Sequence, residues 1–461
     1  GYSTDAGALG LFEISNVNLM NKLRHGAMRL RASRLQQLVR LEYLDPRFAR
    51  YNKTDFAPLA ASIEYMRDST VTRFFRSAID RGTMGIVQRL DEDGNPINIF
   101  GERVDEPTIN RFTATLETQR VLDRKTHTIV FGRVSYEDVR LYNLESLVLR
   151  PILEPDRKVR IARIGGSFVR DTRERCEREL LPRRMLDQDE RVGESGEVCR
   201  YNQVDATRGG FLSVDYAVAL RQLGGNVSFN RFQTTYRHYY KVRALRNTVF
   251  AGNMTLGLAN MFNPRDRDEN GTIDEIDLTL PISERFFSGG STTLRGFSFE
   301  EAGPREVVIP LGQFRDQDDN VVFLNPFTVP VGGNALAVVN LEARIPLTRT
   351  TQVVPFYDGG NVYRRVGDLF GKSDPVTVPP SNTLEFIRQT NLKTRWSNTV
   401  GLGFRWTTPF GGALAVDYGF LLNPPEFLVP QRGPNGIDFD GTPAVFRLHR
   451  GALHFRITQT F

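Results

Sequence analysis

Long hydrophobic runs are missing from this chain: no stretch reaches the roughly 18 unbroken apolar residues of a membrane-spanning helix, which excludes insertion by helices. A barrel is not excluded, because each of its strands needs only about ten residues and carries its apolar side chains at alternate positions. Cysteine is scarce: Cys176 and Cys199 are the only two in 461 residues, so this is no disulfide-packed miniprotein. Histidine is scarce and scattered, at His25, His127, His238, His449 and His454. With no Gly-x-Ser-x-Gly elbow and no His-Glu-x-x-His helix, the sequence reads as a non-enzyme. Neither sign of charge prevails, with 60 basic against 54 acidic residues, and no basic tract interleaved with aromatics marks a nucleic-acid partner. The polar start Gly1-Tyr2-Ser3-Thr4-Asp5 carries no leader and reads as a processed or truncated chain.

What is present is a period of two. Val400, Leu402, Phe404 and Trp406 fall on one parity, and Thr399, Gly401, Gly403 and Arg405 on the other, the pattern of a strand with one oily face. After Pro409-Phe410-Gly411-Gly412, Leu414, Val416, Tyr418 and Phe420 alternate with Ala415, Asp417 and Gly419, which completes a hairpin. Val339, Leu341, Ala343 and Ile345 likewise alternate with Asn340, Glu342 and Arg344. At the end of the chain, Leu453, Phe455, Ile457, Gln459 and Phe461 oppose His454, Arg456, Thr458 and Thr460. Charge and glycine opposite the oily face point to lipid outside and a wet lumen inside, and a terminal Phe461 suits an interfacial girdle.

Sixteen strands are predicted, at about 6–15, 26–34, 36–44, 56–66, 73–89, 109–121, 127–141, 158–171, 210–220, 227–241, 248–260, 335–346, 352–363, 397–407, 413–422 and 445–461. The even count returns both chain ends to one side, with short turns such as 347–351 and 408–412 at the periplasmic rim. Long loops at 91–108, 143–157, 261–334, 364–396 and 423–444 then face the cell surface. The exception is 172–209, a charged periplasmic-side insert that holds both cysteines. An oxidising compartment favours a Cys176–Cys199 disulfide over two free thiols. The segment 266–277 matches a calcium-loop template, with Asp266, Asp268, Asn270, Thr272, Asp274 and Asp277 at the ligand positions and Gly271 at the sharp turn. Asp277 replaces the usual Glu, and the same residues also read as an ordinary acidic surface loop.

The run Leu280-Pro281-Ile282-Ser283-Glu284-Arg285-Phe286-Phe287-Ser288-Gly289-Gly290-Ser291-Thr292-Thr293-Leu294-Arg295-Gly296-Phe297 closely resembles the sixth-loop motif of the BamA/TamA outer-membrane insertase and translocase superfamily. Gly1-Tyr2-Ser3-Thr4-Asp5 is similar to that family's start of strand one, Phe356-Tyr357-Asp358-Gly359-Gly360-Asn361-Val362-Tyr363 to its thirteenth strand, and Gly403-Phe404-Arg405-Trp406-Thr407-Thr408-Pro409-Phe410-Gly411 to its fourteenth. The resemblance runs the length of the chain. It implies an all-β protein, a transmembrane 16-stranded antiparallel barrel over 1–461 in the bacterial outer membrane, with its long sixth extracellular loop (261–334) folded inward. Carried over, Arg295, Gly296 and Phe297 reach the inner wall, where Arg295 pairs with Asp358 and lies near Glu342; the bare residues also allow an exposed Arg in a glycine-rich loop.

The function implied is an outer-membrane assembly factor that inserts and folds client barrels through a lateral seam between the first and last strands. Gly7 and Gly10 would loosen strand one, while Phe455, Ile457 and Phe461 would form the terminal signal, with Thr458 where a glycine is common. The alternative is two-partner-secretion or TamA-type polypeptide translocation. Implied partners are the lipid bilayer, unfolded outer-membrane clients and periplasmic accessory lipoproteins or chaperones; calcium is the one cofactor suggested.

Overall fold

The computed structural model describes residues 1–5, 7–51, 55–75, 86–90, 96–99, 107–144, 153–177, 190–192, 197–267, 271–273, 275–310, 313–316, 318, 320–322, 327–370, 386–389, 396–407, 412–429, 431–433, 436–438 and 444–459. Sixteen strands close one antiparallel barrel. They are β1 Tyr2–Ser3, β2 Gly7–Leu19, β3 Arg24–Ser33, β4 Gln36–Arg50, β5 Phe56–Asp68, β6 Thr108–Asp123, β7 Thr128–Tyr142 and β8 Lys158–Asp171. The second half comprises β9 Gly209–Ala219, β10 Phe229–Val242, β11 Thr248–Met261, β12 Ala335–Pro346, β13 Thr351–Tyr363, β14 Ser397–Thr407, β15 Gly412–Leu421 and β16 Gly451–Gln459. Each strand pairs with its sequence neighbour, and β1 closes on β16 through Tyr2↔Ile457 and Ser3↔Arg456.

Alternation fixes which face is which. On β14 and β15, Leu402 is 58% and Tyr418 51% exposed, while Thr399 and Asp417 are buried inside. The apolar parity therefore faces out, where hydrocarbon receives it, and backbone closure leaves no unpaired edge in the lipid. The inner parity is drier than its polar composition suggests. Leu280, Ile282, Phe286, Leu294 and Phe297 of the 262–334 connection, here called loop six, pack against Val139, Ile161, Phe229 and Val338 of the inner wall. Each such side chain taken from water contributes about 1.5–3 kcal/mol. The lumen on that side is thus a folded core rather than the wet bore expected from the sequence.

Three expectations need correction. The segment 73–89 is not a barrel strand: Thr72–Phe75 forms a 3-10 turn, and Ile86–Leu90 joins a separate sheet with loop six. The reason lies in its parity, where Phe75, Ile79 and Val87 are interrupted by Arg73, Arg81 and Arg89, so no lipid-facing stripe exists. The sixteenth strand is instead Tyr2–Ser3, which makes Gly7–Leu19 the second strand, not the first. Ala444–Arg447, expected inside the last strand, pairs with Glu426–Val429 in a two-stranded sheet outside the wall.

Loop six also builds a roof. Its strand Arg305–Pro310 pairs with its own Phe327–Pro330 and with Phe386–Gln389 of the β13–β14 loop. Its strand Gln313–Asp316 pairs with Ile86–Leu90 of the β5–β6 loop. The β8–β9 connection lies at the opposite rim, because alternate connections of an up-and-down barrel fall at opposite ends. There Glu174–Glu177, Val198–Tyr201 and Glu190–Val192 form a three-stranded sheet crossed by the Cys176–Cys199 disulfide. Tyr201 stacks on His127 of the β6–β7 turn at 4.1 Å, and Glu197 holds Arg243 at 2.9 Å and Lys241 at 3.2 Å, so two rim turns strap the insert down. Reduction of the disulfide, whose cysteines are 23 residues apart, should cost the insert about 3 kcal/mol. Dithiothreitol is then expected to open new protease sites within 172–208 without altering the heat-modifiable migration of the barrel; equal resistance in both states would contradict this.

Candidate functional site

The tip of loop six crosses the lumen to the β12–β13 wall. Arg295 is 3% exposed and donates to Asp358 from its backbone N (3.0 Å), Nε (2.8 Å) and Nη2 (2.7 Å). Its Nη1 donates to Glu342 at 2.6 Å, and its guanidinium lies 3.5 Å from the Phe356 ring centroid. Such a fork on a carboxylate plus an aromatic face is an arrangement lysine cannot copy. Asn340 Nδ2 completes Asp358 at 2.8 Å, and Arg344 Nε reaches Glu342 at 3.1 Å. Burial disfavours the charge on Arg295, but the Asp358 hydrogen bonds and the surrounding carboxylates outweigh it and hold the proton more tightly than usual. The structure thus brings Arg295, Glu342 and Asp358 together. Gly296 follows where a side chain would collide with Thr399 and Leu421, and Gly419 on β15 leaves room for the Arg295 carbonyl. Phe297 turns into the core.

A second anchor of opposite sign lies farther round the inner wall. Glu284 of loop six is buried, 3.0 Å from Arg163 Nη2, 3.3 Å from Arg231 Nη1 and 3.4 Å from Arg111 Nη1. These arginines project from β8, β10 and β6. Glu137 on β7 ties Arg111 at 3.1 Å and Arg163 at 3.2 Å, and Arg231 lies over Phe286 at 4.6 Å. Burial pushes the Glu284 carboxyl up, yet the three guanidiniums outweigh it and keep the group below the usual range. The sequence reading passed over this cage. Glu284 stood inside the quoted motif, but its partners are single inner-parity residues on separate strands with no local signal.

Nearer the roof, Asp156 of the β7–β8 loop binds Arg267 Nη1 at 2.7 Å and the Ile282 N–H at 2.8 Å. Arg285 spans the Leu280 and Val331 carbonyls, and its burial lowers its pKa to about 10. Glu300 is pushed up to about 7, by burial first and then by Asp68.

The remaining sequence candidates are dispersed. Of the calcium-loop set, Asp268, Asn270 and Asp274 lie outside the described residues. Asp266 accepts the Gly271 N–H at 2.6 Å, Thr272 is exposed, and Asp277 is turned inward to accept the Arg267 N–H at 2.7 Å. Gly7 and Gly10 sit on β2, paired with Ser3 and Ala32, and not on the strand beside β16. Ile457 pairs with Tyr2 at the closing joint and Phe455 packs near the Tyr2 ring at 6.1 Å, while Phe461 lies outside the described residues.

Arg295→Ala should cost loop-six docking roughly 3–5 kcal/mol by stranding two carboxylates, and Arg295→Lys should not restore it. Glu284→Gln should weaken the opposite anchor in the same direction. Hydrogen exchange of 280–300 in the folded barrel is the measurement; unchanged protection would contradict both.

The Omp85 superfamily domain matches residues 200–461. Among solved structures, the chain is similar to BamA from Haemophilus ducreyi lacking POTRA domains 1–3, with TM-score 0.60 and 13% identity over 99% of this chain and 68% of that one. CdiB from Acinetobacter baumannii is 13% identical over 99% of this chain and 58% of its own, with TM-score 0.42. CdiB from Escherichia coli is 10% identical over 100% of this chain and 61% of its own, with TM-score 0.44. The family match, joined to a closed sixteen-stranded barrel whose apolar parity faces out, means that the chain belongs to the Omp85 superfamily and is a β-barrel of the bacterial outer membrane.

Proposed function

We propose that the chain is an outer-membrane assembly factor that inserts and folds client β-barrels through the joint between β1 and β16. The observation that carries this reading is a contrast between two routes. The axial route is narrowed by the loop-six core packed on the β6–β13 wall and roofed by sheets that loop six shares with the β5–β6 and β13–β14 loops. The lateral route is the β1–β16 joint, the one joint in the wall whose two strands no connecting loop ties. A parted joint would offer unpaired N–H and C=O groups, and a client strand can occupy these by β-augmentation. In hydrocarbon each unpaired group costs several kcal/mol, so exchange of partners at an edge provides a path that bare insertion lacks. The protein would make and break no covalent bond. Clients would arrive unfolded, with periplasmic accessory lipoproteins or chaperones.

Family membership supports polypeptide secretion through the bore as the competing role, and two engineered disulfides separate them. Tyr2→Cys/Ile457→Cys seals the side joint, and Gln88→Cys/Arg315→Cys fastens the roof at a strand register pair. Loss of client-barrel insertion on oxidising the first pair, with tolerance of the second, is the expected result. Full activity with the side joint sealed would reject the proposal.

A further inference from the structure

Loop six touches both banks of the β1–β16 joint, through residues that neither anchor above involves as side chains. On the β1 bank, Asp5 in the β1–β2 turn accepts the Ser291 N–H at 3.0 Å and the Ser291 Oγ–H at 2.6 Å. On the β16 bank, buried His454 places Nε2 3.1 Å from the Arg295 carbonyl. A carbonyl only accepts, so Nε2 carries the proton in that bond. The other ring nitrogen, Nδ1, then faces Asp5 across the joint at 3.6 Å. Beneath them the backbone contributes the Thr4 N–H to the Phe455 carbonyl at 2.9 Å.

A chain of contacts results, from Asp5 to Ser291, along five residues of loop six to Arg295 and on to His454, whose Nδ1 lies 3.6 Å from the starting Asp5. Burial opposes ionisation of Asp5, but the His454 ring and the two Ser291 donors hold its carboxyl below the usual range. The loop segment in this chain is the same one that Asp358 and Glu342 hold on the β12–β13 wall. Withdrawal of loop six would strip Asp5 of both serine donors and His454 of its acceptor at once. Parting of the joint would in turn pull Asp5 and His454 away from a loop segment anchored elsewhere.

We propose that Asp5 and His454 are positioning residues that clamp the side joint through loop six, so that β1 and β16 separate only as loop six leaves the wall. This goes beyond the assembly-factor reading, since a clamp of this kind serves either direction of traffic. Two sites joined in this way must influence each other reciprocally, and that property separates a clamp from residues that merely stabilise the turn.

The test is amide hydrogen exchange of the full protein in lipid bilayers, with no client present. Thr4 and Phe455 report the joint, and Gly290 and Phe297 report loop six. Asp5→Ala is expected to speed exchange at both sets about tenfold, the scale of one charge-assisted hydrogen bond. Asp358→Asn, placed on β13 away from the joint, should speed Thr4 along with loop six. Oxidised Tyr2→Cys/Ile457→Cys should slow Gly290 and Phe297. Should Asp5→Ala impair folding, the milder Ser291→Ala keeps the backbone bond to Asp5 and should show the same coupled rise. Faster loop-six exchange in Asp358→Asn with Thr4 unchanged would overturn the clamp, as would a response of the joint alone to Asp5→Ala or Ser291→Ala. Because no insertion assay enters, these outcomes leave the functional proposal to stand or fall separately.

Discussion

Charges taken into a lumen must be met there, and this constraint shapes the structure around loop six. The loop carries a cation, Arg295, to the β12–β13 wall and an anion, Glu284, to the β6–β10 side. Neither could stay buried unpaired, since stranding one member of such a pair costs several kcal/mol. The wall supplies the complement: carboxylates at Glu342 and Asp358, guanidiniums at Arg111, Arg163 and Arg231. The loop is thereby oriented as well as held, because exchanging the two anchors would set Arg295 among the three guanidiniums and Glu284 against the two carboxylates. Hydrophobic packing by Leu280, Leu294 and Phe297 adds adhesion, but it lacks that directional preference.

An inner plug fixed in this way changes what the wall can do. A barrel with an empty bore could pass a polypeptide along its axis, whereas loop six packed on the β6–β13 wall narrows that route, and the proposed path runs through the wall instead. Fifteen joints are backed by covalent connections, and the one between β1 and β16 is not. The tip of loop six meets both banks of that joint, so the plug and the joint share residues and need not act as independent parts.

Much of this was legible in the sequence because period two is strict where lipid is the outer solvent. β12, β14 and β15 could be read residue by residue, since Leu341, Leu402 and Tyr418 each face out between polar or small neighbours. The segment 73–89 misleads because scattered apolar residues such as Phe75, Ile79 and Val87 imitate a strand when its arginines are not weighed by parity. The start of the barrel was misplaced for a related reason: glycines at 7 and 10 suggested a loose first strand, while Tyr2–Ser3 is too short to show a period. Arg295 and Asp358 stood out within contiguous motifs. The Glu284 cage and the Asp5–His454 contact did not, because the residues that meet there are separated by tens to hundreds of positions and only barrel closure joins them.

The central claim is that the bore is shut and the side joint is the working element. Conductance of the protein in a planar lipid bilayer tests this most directly. A closed baseline broken by brief openings is predicted while loop six is docked, with openings made frequent by Arg295→Ala. A wide, steady pore in the unaltered protein would contradict the account, because it would mean that docked loop six leaves the axial path open.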